Sequence, residues 1–301
     1  MPAPIVLFTY NRPEHTARAL RSLASADMAR TSELFIFCDG AKDTANEERV
    51  AAVRKLCHEA KGFAAVTVVE RDANIGLAAN IIDGVGNVVN SRGRVIVLED
   101  DLTVSPFFLR YMNAALDYYE GRGVLSIAGY SPDLEIPKDY GASTYIMHRN
   151  CSWGWATWRA QWEKVDWEVP TFDSFVRNSK LRKAFNECGN DLSPMLLRWK
   201  IGEIKSWSIR FCYAGFLTNA PTVYPRKSLV RNGGADGSGT NMRASQRYDT
   251  PLAANVGLQD FTTGIAPDHR LVAQFRKFYD TSLIRRLINT LKRWRYICLG
   301  R

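Results

Sequence analysis

The sequence lacks any run of about 18 consecutive apolar residues, so no segment reads as a membrane-spanning helix. Its six cysteines, at 38, 57, 151, 188, 212 and 298, include no CxxC pair. That scatter argues against a zinc ribbon or a disulfide frame and fits reduced thiols in a cytoplasmic protein. Met1-Pro2-Ala3-Pro4 carries no basic segment ahead of an apolar stretch, so no secretory leader is expected. No GxxxxGK[ST] loop occurs, and no GxGxxG follows the first strand-like run. The nearest approach, Gly84-Val85-Gly86, lies inside a helical pattern. P-loop enzymes and Rossmann dehydrogenases are therefore poor readings. Internal repeats and low-complexity linkers are also missing.

Net positive charge is small except at one end. The net charge is +9, yet residues 268–301 hold nine Lys or Arg against two Asp, while the preceding 267 residues carry 31 basic and 29 acidic side chains. A balanced body with one basic tail argues against a nucleic-acid-binding surface.

What the chain does contain is apolar content, 46% over 301 residues, enough for a sizeable core. Strand-like runs at Pro4–Tyr10, Leu34–Cys38, Ala65–Glu70 and Arg94–Leu98 alternate with helical patterns over the first 125 residues or so. This alternation predicts an α/β fold with a mostly parallel central sheet and helices on both faces. Further strands are expected at Val124–Ala128 and Thr144–Met147. In such sheets ligands gather at the carboxyl ends of the strands. Thr9, Asn11 and Arg12, then Asp39, then Asn74, then Glu99-Asp100-Asp101 all fall at those ends.

The last group stands out. Four branched apolar residues, Val95 to Leu98, run into three consecutive carboxylates. Like charges at one strand end repel, and a hard divalent cation such as Mg²⁺ or Mn²⁺ would balance them through oxygen ligands. The plain alternative is an acidic turn before the helix that Pro106 introduces. Asn11 and Asp39 could likewise be helix caps, and Arg12 could pair with Glu14.

Taken together, Pro4 to Pro13 (PIVLFTYNRP), Asn74-Ile75-Gly76-Leu77, Val97 to Leu102 (VLEDDL), Trp153-Gly154-Trp155 and Asp236-Gly237-Ser238-Gly239-Thr240 resemble glycosyltransferases of the GT-A fold (nucleotide-diphospho-sugar transferases). The likeness is strongest to family-2-like bacterial enzymes and the N-acetylglucosaminyltransferase I group, and it covers residues 1 to about 240. Glu99-Asp100-Asp101 matches that group's variant of the DxD motif. The resemblance implies that Asp101, with Asp100, binds Mn²⁺ or Mg²⁺ bridging the phosphates of a nucleotide-sugar donor, expected to be a UDP-sugar. Glu99 and Asp100 would contact the sugar, the ribose or metal-bound water. Arg12 would lie near the phosphates or uracil, and Asp39 would accept from the uracil ring. Thr9 and Asn11 would line the pocket, and Asn74, Gly76, Leu77 and Asn80 would pack near the nucleoside. Trp153-Gly154-Trp155 would wall the sugar, with Trp158 and Trp162, four apart, as one buried helix face.

The group that completes an inverting transfer is a carboxylate base for the acceptor hydroxyl. Relatives place an Asp just before a Ser-Trp that matches Ser206-Trp207, where this chain has Lys205. Glu203 and Asp191 are the nearest candidates. Arg231 to Asn241 (RNGGADGSGTN) holds four glycines and reads as a loop able to close over the donor. Relatives follow this loop with a His, and here Asn241 stands there. Two other functions stay open: a catalytically silent protein that binds nucleotide sugar or membrane, and a sugar nucleotidyltransferase.

Val272, Phe275, Tyr279, Leu283, Leu287, Leu291, Trp294 and Cys298 recur at spacings of three and four, with Asp280-Thr281-Ser282 a possible break between two helices. A basic amphipathic helix with Trp reads as a membrane-surface element, or else as a helix packed on the body. The division expected is a catalytic domain at 1–265 and a basic helical segment at 266–301. That arrangement suits a cytoplasmic enzyme lying on the inner face of a membrane, with a glycan or lipid-linked acceptor.

Overall fold

In the computed structural model the structure describes residues 1–234, 247–253, 257–258 and 260–300. The first part alternates strictly: β1 (Ile5–Thr9), α1 (Pro13–Ala24), β2 (Glu33–Cys38), α2 (Thr44–His58), β3 (Ala65–Glu70), α3 (Leu77–Arg92) and β4 (Arg94–Glu99). There follow β5 (Leu102–Val104), α4 (Phe108–Tyr119), β6 (Ser126–Ala128), β7 (Thr144–Met147), β8 (Trp155–Trp158) and the single turn α5 (Arg159–Trp162). Four helices come next: α6 (Phe172–Arg177), α7 (Ser179–Phe185), α8 (Leu192–Lys200) and α9 (Ser208–Leu217). The chain closes with β9 (Thr222–Pro225), β10 (Val230–Asn232), α10 (His269–Tyr279) and α11 (Leu283–Leu299).

The main sheet has eight strands in the order β3-β2-β1-β4-β8-β6-β9-β7. β3, β2, β1 and β4 are parallel, β8 runs antiparallel to both neighbours, and β6 and β9 are parallel again. This is the α/β architecture that the alternation predicts. β1 and the Val95–Leu98 part of β4 are buried because helices cover both sheet faces, which is why they read as unbroken apolar runs rather than alternating ones.

Side chains of α1, α2 and α4 join Ile5, Leu7, Ile96 and Leu98 in the core on one face. On the other, α3, α5 and α9 cover Val6, Phe8, Val95 and Val97. Gly84 sits in α3 where a Cβ would come within 2.8 Å of Phe8, so the glycine permits the helix to lie close on β1. It has nothing to do with phosphate. Because α1 and α3 lie on opposite faces, the connection reverses between β1 and β4. A crevice opens at such a switch point.

The tryptophans divide by strand geometry. Trp155 and Trp158 are three apart on β8, so they point to opposite faces. Trp158 enters the α4 side, while Trp162 joins Trp155 on the other. The expectation of Trp158 and Trp162 on one helix face is therefore corrected, because Trp158 belongs to a strand.

α6 to α9 bury Phe172, Phe175, Phe185, Leu196 and Tyr213 in a third cluster, against which Tyr296 and Ile297 of α11 pack. α10 belongs to the main core, burying Leu271 and Phe275. Asp280-Thr281-Ser282 does separate the two C-terminal helices, with the Ser282 hydroxyl capping α11. α11 buries no residue fully. Among the described residues no helix is long and apolar enough to cross a membrane.

Candidate functional site

The crevice is built from the residues that leave β1, β2, β3 and β4. Pro13 starts α1 with a backbone angle already suited to a helix, and this leaves Arg12 at the junction of strand and helix. One terminal nitrogen of Arg12 lies 2.6 Å from Asp100 Oδ1 and 2.9 Å from Asp101 Oδ2. The Tyr10 amide donates to Asp100 Oδ2 at 3.3 Å. Arg12 thus answers the charge problem of the strand end, and it does so across β1 and β4 rather than with its sequence neighbour Glu14. Burial works against the charge on Arg12, but Asp100 and Asp101 outweigh it and raise its pKa. Its other terminal nitrogen is buried with no hydrogen-bond partner among the described residues.

Burial pushes the Asp100 carboxyl up to about 6, against the pull of Arg12. Glu99 is pushed well above the usual carboxylate range by burial, then by Asp101 and Asp100.

A second strand ladder covers Asp101. β10 pairs antiparallel with β5, setting Asn232 opposite Leu102. The chain then turns so that the Gly233 amide donates to the Asp101 carbonyl at 2.7 Å. The Gly234 amide is held by Asn232 Oδ1 at 2.7 Å. A Cβ on Gly234 would fall 2.2 Å from Asp101 Oδ2. The glycine-rich run therefore begins directly on the Asp101 carboxylate. Its later residues, Asp236 to Asn241, lie outside the described residues.

Asp39 is a hub. Its Oδ1 accepts from the amides of Gly40 and Ile75, each at 2.9 Å. Its Oδ2 accepts from the Gly76 amide at 3.0 Å and from Asn74 Nδ2 at 3.1 Å. With each oxygen already taking two donors, Asp39 shapes the β3–α3 turn and has no lone pair left for a uracil ring, which corrects that expectation. The turn it holds exposes Ile75 and Leu77, 42% and 37% accessible, at the edge of the crevice. Gly76, at φ 79°, opens α3 in a conformation that favours glycine. Asn80 is buried and accepts from Arg71 Nε at 3.1 Å, so it braces Arg71. Asn11 donates to Asn46 Oδ1 at 2.6 Å and remains half-buried at the rim. Thr9 does not line the pocket: its side chain is buried beneath it, donating to Cys38 Sγ at 3.2 Å. An inward-facing position on a two-faced strand accounts for that.

Trp153 is half-buried, packed edge-on to Tyr130 and Tyr248 at centroid distances of 4.7 and 5.1 Å. Gly154, at φ 60°, leaves room for Val230, which a Cβ would approach to 2.7 Å. Trp155 cannot wall a sugar. It is 1% exposed, stacked on Trp207 and Trp162 at 4.9 and 5.9 Å, because its strand pairs with β4 inside the sheet.

Neither base candidate stands among the strand-end residues it would serve. Glu203 pairs with Arg198 and with Lys292 of α11, which hold its carboxyl below the usual range. Asp191 is held by both terminal nitrogens of Arg149 at 2.8 Å, and Arg149 in turn lies 3.7 Å from the Tyr279 ring centroid. Both carboxylates tie helices together.

A divalent cation fits this crevice in a restricted sense. Among the described residues no three His, Cys, Asp or Glu side chains converge as a metal cage. Small hard cations, however, commonly take one or two protein carboxylates and draw the rest of their shell from water and substrate phosphates. Asp101 and Asp100 offer that pair of carboxylates. The unpartnered Arg12 nitrogen fits a phosphate oxygen beside them. Sequence reasoning missed the Arg12 bridge and the Gly233-Gly234 seat, since they join segments about 90 and about 130 positions apart; paired glycines after Asn232 were the only local signal.

No family model matches the sequence, and no curated protein matches it. Several solved structures are similar. S. aureus TarS 1-349 aligns with a TM-score of 0.45 and 13% identity over 78% of this chain and 62% of that one. The same TarS fragment in complex with UDP-GlcNAc gives 0.41 and 14%, over 76% and 58%. The mannosyltransferase PcManGT from Pyrobaculum calidifontis, in complex with GDP-Man and Mn²⁺, gives 0.37 and 13%, over 72% of each chain. The chain thus spans about 60% of the length of the TarS fragment it resembles.

Proposed function

We propose that this chain is a glycosyltransferase of GT-A arrangement. It takes a nucleotide-diphosphate sugar, a UDP-sugar in the first instance, at the crevice between β1 and β4 and passes the sugar with inversion to a glycan or lipid-linked acceptor. The observation that carries the reading is the Arg12 bridge: one nitrogen shared by Asp100 and Asp101, and a second buried without a partner. A diphosphate supplies the acceptor oxygens that this second nitrogen needs. Bound Mn²⁺ or Mg²⁺ would neutralise the charge developing on the leaving nucleoside diphosphate. Asp101 and Asp100 would hold it, and Gly233-Gly234 would let the backbone close on that side. The Asp39-organised turn presents Ile75 and Leu77 as an apolar rest for the nucleobase. Trp153 would offer its free face to a sugar ring.

The outer face of α11 supports a membrane location on the cytoplasmic side. Leu283, Ile284, Leu287, Leu291 and Trp294 are between 58% and 78% exposed. They share one side of the helix, bordered by Arg285, Lys292 and Arg295. Apolar side chains ringed by cations suit an anionic bilayer surface.

The ion pairs of Glu203 and Asp191 favour one other reading, a protein that binds nucleotide sugar without transferring it. Calorimetry with UDP-sugars in Mn²⁺ tests the donor site. Asp101→Ala is expected to abolish Mn²⁺-dependent binding, and unchanged affinity would remove the metal assignment. Donor binding with no hydrolysis or transfer across a panel of acceptors would select the silent reading.

A further inference from the structure

A cavity with a volume of about 1070 Å³ lies away from the crevice, between α7 and α8 on one side and α10 and α11 on the other. Six cations line it: Lys180, Arg182, Lys183, Arg276, Arg286 and Arg293. None of them forms an ion pair with a described carboxylate. Among the described lining residues the one acid, Glu187, is bonded to His148 at 2.7 Å and lies near Arg276. Arg182 donates to the Val176 carbonyl, and the nearby Arg293 adds like charge to the same lining. Like charges gathered on one lining repel weakly through water, and a bound anion offsets them.

α11 relates this cavity to the membrane. Arg286, Asn289, Thr290 and Arg293 point into it, while Leu287, Leu291 and Trp294 on the opposite side of the same helix are exposed. An amphipathic helix normally turns its apolar side to the protein. Here Tyr296 and Ile297, near the end of the helix, pack on the body, while the polar side of the preceding turns faces inward over a cationic chamber floored by Phe175, Leu197 and Val272.

We propose that this chamber binds the phosphomonoester head of a membrane lipid while α11 rests on the bilayer. The inference depends on the membrane location proposed above. Paired guanidiniums recognise a dianionic phosphate through several parallel N–H donors, whereas a diester offers fewer free oxygens and half the charge. The chamber therefore selects the monoester beyond what general surface charge provides.

The full chain is tested by sedimentation with phosphatidylcholine vesicles containing phosphatidic acid, or phosphatidylglycerol at matched surface potential. The wild type is expected to bind the phosphatidic acid vesicles about tenfold more tightly. Arg182→Gln with Arg293→Gln should erase that preference and leave binding to phosphatidylglycerol vesicles within about twofold. Leu287→Gln with Trp294→Gln should weaken both. Removing the two lining cations should not lower the melting temperature of the free protein, which separates lost binding from lost folding. A soluble short-chain lipid phosphate monoester, and inorganic pyrophosphate, are added in a parallel thermal-shift series. If no vesicle binds but the short-chain monoester stabilises the wild type and not the double variant, the chamber stands and the membrane location falls. Stabilisation by pyrophosphate alone, or equal binding to both vesicles by the wild type, overturns the proposal. So does a preference that survives in the Arg182/Arg293 variant.

Discussion

Replacing Arg12 with Met keeps most of the unbranched stem of the side chain and removes its charge. Asp100 and Asp101 are then left facing each other, with side chains only 5% and 16% exposed. Removing one partner of a buried ion pair costs about 3–5 kcal/mol. Because the Arg12 side chain keeps 18% exposure, the lower end, about 3 kcal/mol, is expected. For a chain of this size that is a fall in Tm of about 5 °C. If the two carboxylates also form the cation site, Mn²⁺ can take over the work of the missing guanidinium. Saturating Mn²⁺, at about 100 times its Kd, stabilises a protein by about 2.7 kcal/mol, so it should restore most of the loss. The wild type, with Arg12 competing for the same oxygens, should respond less. Thermal melts of both proteins with and without Mn²⁺, and with Ca²⁺ as a control for general ionic effects, make the comparison. A variant that melts with the wild type would show that the bridge contributes nothing. A variant that is destabilised but gains no more from Mn²⁺ than the wild type would refute the shared-site reasoning.

Two further substitutions probe the crevice. Asp39→Ala frees four donors, from Gly40, Asn74, Ile75 and Gly76; hydrogen bonds to a charged group contribute about 1.5–3 kcal/mol each, with partial rescue by water. A stability loss of about 3 kcal/mol in urea unfolding is expected, together with weaker donor binding, and a stability change under about 1 kcal/mol would contradict the hub role. Gly234→Ala sets a Cβ against Asp101 Oδ2, and calorimetry should show donor affinity falling about tenfold while Tm moves by no more than roughly 4 °C. Unchanged affinity would separate the Gly233-Gly234 segment from the site.

How far the sequence speaks depends on whether a residue's neighbours are local. Val95 to Leu98 is apolar throughout because the strand is covered on both faces, so its place at the centre of a parallel sheet was legible. The gathering of Asn11-Arg12, Asp39, Asn74 and Glu99-Asp100-Asp101 at the strand ends was legible for the same reason, since parallel strands bring their carboxyl ends together. The break at Asp280-Thr281-Ser282 was also marked as possible, because three polar residues interrupt the apolar stripe. Trp155 was not. A tryptophan beside a glycine looks the same in a sugar site and in a core, and only the pairing of β8 with β4 put it inside.

The strand ends, their carboxylates and the basic amphipathic tail were determined by the sequence itself, because periodicity and like-charge crowding are local properties of the chain. Tertiary structure decided which group meets those charges. Arg12 reaches Asp100 and Asp101 only because β1 and β4 are neighbours in the sheet. It decided just as firmly the direction in which α11 faces. Helical periodicity defines an apolar stripe, but contacts with α6 and α8 fix its rotation about the helix axis.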